Sequence, residues 1–117
     1  MRVYVAAKFE DQERVLDIMA ILRHAGHTIT YDWTRKEQIS KEQATLDAQG
    51  VLTAEALILV AEQPYAYCGA LVELGLALGR GIPIYVLGTV LDAKCIFMLL
   101  PEIYHVSSVQ QMLTLLA

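Results

Sequence analysis

Residues Ala56-Leu57-Ile58-Leu59-Val60-Ala61 form an unbroken apolar run. A strand with one wet face would alternate polar and apolar side chains. A continuous run of this length, bounded by turn-forming residues, predicts a strand buried on both faces. Strands of that kind belong to parallel sheets covered by helices on both sides, because parallel neighbours need helical crossovers.

The surrounding segments agree with that requirement. Val3 to Ala6 reads as a buried first strand, and Val15, Ile18, Met19 and Leu22 recur at helical spacing between Asp11 and Ala25, with Gly26 as the stop. Thr28 to Tyr31 is a second short strand, followed by a polar segment from Asp32 to Gln38. Ser40, with Gln43 three residues on in the capping-box position, opens a helix to about Thr53. After the Ala56–Ala61 strand and a loop from Glu62 to Cys68, Gly69 to Gly79 is helical in pattern. Ile84 to Leu87 is then a further central strand. Thr89 to Leu100 reads as helix plus loop, Val106 ends an edge strand, and Ser107 or Ser108 caps a last helix reaching Leu116. Strands alternating with helices predict a single-domain α/β fold over residues 1–117, with an open, mostly parallel sheet in three layers. Ligands in such folds bind beyond the carboxyl ends of the strands. Here that edge is Ala7 to Phe9, Asp32 to Arg35, Glu62 to Cys68 and Gly88.

Composition narrows the function. A formal charge of −4 opposes binding to a nucleic-acid polymer. No apolar stretch reaches transmembrane length, and the first residues lack the form of a signal peptide, so a cytoplasmic location is expected. Cys68 and Cys95 have no metal-ligand spacing, and His24, His27 and His105 form no metal pattern, so no metal is expected. GxGxxG, GxxxxGK[ST] and HExxH patterns do not occur. Hydrophobic residues make up 56% of the chain, which leads us to expect a homodimer or higher homo-oligomer.

Two carboxylates stand in positions that apolar residues would normally fill. Glu73 is the only polar side chain from Gly69 to Gly79, a stretch whose all-round apolar character predicts a buried helix. A buried carboxylate must be neutral, paired or facing a cavity. It can serve as a nucleophile or acid–base group, or simply as the partner of a buried donor. Asp47 falls within the stripe Ala44, Ala48 and Val51 of the preceding helix, so the two carboxylates either share one pocket or Asp47 is solvated. Asp32-Trp33-Thr34 offers a ligand an indole and polar groups, or else forms a turn capped by Asp32 with Trp33 folded back. Tyr4 is either a core residue or part of a site.

Asp47-x-x-Gly50-Val51, the strand opening Ala54-Glu55-Ala56-Leu57-Ile58, Gly69-x-x-x-Glu73-Leu74-Gly75-x-Ala77 and Gly81-Ile82-Pro83-Ile84 together resemble the nucleoside 2-deoxyribosyltransferase-like family. That family includes deoxynucleoside 5′-monophosphate N-glycosidases. The resemblance covers residues 3–87 and implies a flavodoxin-like fold. It further implies cleavage or transfer at an N-glycosidic bond without a cofactor, and a small nucleoside or nucleotide as partner. By resemblance Glu73 matches the nucleophile at C1′, Asp47 the aspartate that assists the base or orients the sugar, and Tyr4 the tyrosine that holds the nucleophile. Gly69 matches the glycine facing the 5′ end. Ala7 and Lys8 occupy the first loop, where phosphate-binding members carry Gly and Ser, and Tyr67 stands where the family has an acidic residue or serine. A nucleotide-binding or sensing module without turnover is the alternative function.

Overall fold

The computed structural model describes residues 1–35 and 39–117. Lys36 to Gln38, the end of the expected polar segment, lies outside the described residues. Five strands, β1 (Arg2–Ala6), β2 (Thr28–Ile29), β3 (Ala56–Val60), β4 (Ile84–Leu87) and β5 (Ile103–Val106), form one sheet in the order β2-β1-β3-β4-β5. Every pairing is parallel. The helices are α1 (Gln12–His24), α2 (Lys41–Leu52), α3 (Cys68–Arg80) and α4 (Val109–Leu116).

All five residues of β3 are buried, as the apolar run requires. The chain passes from β1 outward to β2, then back across β1 to β3 and on to β4. Right-handed crossovers therefore place α1 on one face and both α2 and α3 on the other. The order reverses between β1 and β3, which is where such sheets leave a crevice.

β2 stops two residues earlier than its sequence suggests. Thr30 still donates its N–H to the Val3 carbonyl at 2.9 Å, but its hydroxyl turns to the Gly50 carbonyl of α2 at 2.7 Å. Where β2 departs, the indole N–H of Trp33 takes over the next exposed carbonyl of β1, that of Val5, at 2.7 Å. A side chain thus replaces a strand, and the buried carbonyl stays paired.

Two other expectations need correction. Thr89 to Leu100 contains no α-helix: it is a series of turns closed by a 3-10 segment, Ile96–Leu99. Short i to i+3 bonds such as Asp92 N–H to Thr89 carbonyl suit a stretch without a helical stripe. Nor is α3 buried all round. Ala70, Leu74 and Ala77 face the sheet, whereas Val72 is 66% exposed, because only one side of the helix meets the core.

Two glycines mark close approaches. Gly88 has φ +109°, and a Cβ there would overlap the Ala61 carbonyl at the end of β3. Gly50 lies against β1, where a Cβ would come within 2.8 Å of the Tyr4 ring and 2.9 Å of Tyr31. The Gly50 of the Asp47-x-x-Gly50 pattern is therefore the contact that lets α2 settle onto Tyr4.

Candidate active site

Tyr4 sits in the middle of β1, fully buried, and points between α2 and α3. Its hydroxyl donates a short hydrogen bond to Glu73 Oε2. Glu73 lies one turn into α3, where the helix passes over β1 and β3. Both side chains line a cavity of about 530 Å³, and Asp47 of α2 lines it as well. That volume falls within the range that holds a small organic ligand.

The remaining residues expected at the site fall into two groups. Ala7, Lys8, Trp33, Tyr67 and Gly69 all line the cavity. Asp32 does not: its carboxylate accepts from the Thr34 N–H at 2.9 Å and from the Thr34 hydroxyl at 2.5 Å, capping its own turn. Trp33 is folded back onto β1 and also lines the cavity. Ala44, expected in a buried stripe, is exposed because the cavity opens beside it.

Tyr67 precedes α3 in the left-handed region, φ 54° and ψ 35°. A bulky side chain seldom adopts that conformation. Its hydroxyl, buried against the neighbouring loop, donates to Asp11 at 2.8 Å and accepts from the Gln63 N–H at 3.2 Å. Lys8 stands over the Tyr65 ring, 5.6 Å from its centre, and 3.9 Å from Glu10.

The electrostatics are those of a crowded acidic pocket. Burial raises the Glu73 carboxyl to about 8; the Tyr4 hydroxyl opposes that shift and the negative charge of Asp47 adds to it. Burial also raises Asp47, against a hydrogen bond from Gln43. Tyr4 is raised beyond any physiological pH, first by burial and then by Glu73, so it stays a donor. Gln43 was not legible as a site residue. Its position reads as half of a helix cap, yet its side chain reaches forward to Asp47 rather than back to Ser40.

No family model and no curated protein sequence matches the chain. Solved structures do. The chain is similar to the CMP N-glycosidase of Clostridium botulinum, with TM-score 0.68 and 21% identity over 99% of this chain and 98% of that one. It is similar to the 2-deoxyribosyltransferase of Bacillus psychrosaccharolyticus, with TM-score 0.74 and 20% identity over 96% and 90% of the two chains. A conserved protein of Enterococcus faecalis matches with TM-score 0.68 and 18% identity over 97% and 95%. At these identities the likeness is one of fold, a three-layer flavodoxin-like α/β domain.

Proposed function

We propose that this protein cleaves or transfers the N-glycosidic bond of a deoxynucleoside or its 5′-monophosphate, as a member of the nucleoside 2-deoxyribosyltransferase-like family. The observation that carries the reading is the Tyr4–Glu73 hydrogen bond at the base of a ligand-sized cavity that also contains Asp47. The fold shared with an N-glycosidase and a deoxyribosyltransferase supports it.

In this mechanism one Glu73 oxygen forms a bond to C1′ as the C1′–N bond breaks, and the electron pair leaves with the base. Tyr4 holds the other oxygen, so the attacking one is aimed and its lone pair is free. The carboxylate stabilises positive charge developing at C1′ and then carries the sugar as an ester. Asp47 assists the departing base or orients the sugar. Water attacking C1′ returns Glu73 and gives free sugar, whereas a second base gives a new nucleoside. Tyr67 and Lys8 both line the cavity and are the residues this reading assigns to discrimination of the 5′ group.

Base release from a panel of nucleosides and 5′-monophosphates, followed by chromatography, tests the reading. At least one member should yield free base. No release, alongside raised melting temperature on adding the same compounds, would leave a binding module instead. The pH dependence is a separate prediction. A nucleophile must be ionised, and Glu73 is raised to about 8. Accordingly, kcat/KM should climb as pH passes from 6 to 9. A profile falling over that interval would assign Glu73 the role of an acid and contradict the scheme.

A further inference from the structure

Asp47 is held at one of its two oxygens. Gln43 lies one helical turn before it and donates Nε2–H to Asp47 Oδ1 at 2.9 Å. The same amide meets the Tyr31 hydroxyl at 3.2 Å through Nε2 and 3.3 Å through Oε1. Tyr31 in turn packs its Cβ beside Gly50, and the Gln43 N–H is fixed to the Ser40 hydroxyl at 3.0 Å. The amide is thus tied at its backbone, its far end and its target. Asp47 Oδ2 has no hydrogen bond to a described residue, and no buried side-chain oxygen or nitrogen among the described residues lacks a partner. Oδ2 is therefore the oxygen left open to the cavity.

We infer that Gln43 is a positioning residue: it fixes one oxygen of Asp47 and leaves the other presented to the substrate. The inference rests on the proposed function for what Asp47 then does, but the clamp itself is a matter of geometry. Among the described residues, Glu73 of α3, Tyr4 of β1 and Tyr31 after β2 are the titratable groups that face this corner. Burial disfavours the ionised form of Asp47. Among the described residues, Gln43 supplies the hydrogen bond that favours the ionised form of Asp47. An ionised Oδ2 accepts hydrogen bonds only, so it selects a donor on the substrate, either a sugar hydroxyl or an N–H of the base.

The test is Gln43→Leu, with Gln43→Met as a second variant of similar length should the first not fold. The carboxyl carbon of Asp47 is followed by NMR across pH, and kcat and KM are measured on the best compound of the panel. The Asp47 titration midpoint should rise, and kcat should fall about tenfold with KM changed less, as expected for lost alignment. A midpoint that does not move in either variant overturns the inference, whatever happens to activity. If it rises while Asp47→Asn keeps full base release, the clamp is upheld and Asp47 drops out of the proposed reaction.

Discussion

Glu73→Gln should lower base release by roughly a thousandfold or more while leaving the fold at least as stable as the parent. The substitution keeps the shape, and the Gln oxygen can still accept from Tyr4. What disappears is the carboxylate beside Tyr4 that the proposed scheme uses to attack C1′. The stability effect carries a sign that depends on pH. Folding raises Glu73 from an ordinary 4.5 to about 8. Between those values the folded chain holds a proton that the unfolded chain has lost, so the parent loses stability as pH rises through the interval. The Gln variant has no such slope. The two proteins should melt together near pH 5, and the variant should melt higher, by several degrees, at pH 9. A slow-reacting 2′-fluoro-arabino nucleoside should label the parent at Glu73 and leave the variant unlabelled. A variant that melts far below the parent and still releases base would make Glu73 a structural acid.

Gly88→Ala should cause the largest loss of stability of the seven glycine-to-alanine changes in the chain. Two causes act together. The backbone at φ +109° is one that side chains avoid, and the new methyl would overlap the Ala61 carbonyl. The obstacle is backbone at the end of a fully buried strand, so no side chain can swing away to make room. Strained backbone and forced overpacking each cost about 1–3 kcal/mol, so the variant should melt about 10 °C or more below the parent, or fail to fold. Gly75→Ala is the control. It stands in the middle of α3 with nothing within 4 Å of the added methyl, and should stabilise by about 0.5–1 kcal/mol. Equal melting temperatures for Gly88→Ala and the parent would mean that β3 and β4 do not end against one another as described.

How much of this was readable from residues alone varied with the physics. The apolar run of β3 required burial on both faces, and that requirement led to a parallel sheet and to the edge where ligands bind. Glu73 and Asp47 stood out because charge on an apolar helix face is costly and needs a reason. Asp32 was harder to read. The same carboxylate can bind a ligand or cap its own turn, and only backbone geometry separates the two. Gln43 gave no signal at all, since its spacing from Ser40 already fitted a capping role that its side chain does not perform. Tyr4 was ambiguous because a residue can be fully buried and still touch a cavity. Val72 is exposed although the stretch around it is apolar on every side, since periodicity cannot show how much of a helix the sheet covers.

The two carboxylates are mounted on supports of unequal firmness. Glu73 and its tyrosine partner rest on α3 and β1, which pack through Ala70, Leu74 and Ala77 and through a completely buried strand interior. Asp47 rides on α2, which buries only Gly50 and Val51. Helices with so little buried surface open without unfolding the rest of the domain. Amide hydrogens of α2 should therefore exchange with solvent before those of β1 or α3. An occupant bridging both walls would slow that exchange, so part of its binding energy is spent on quieting α2.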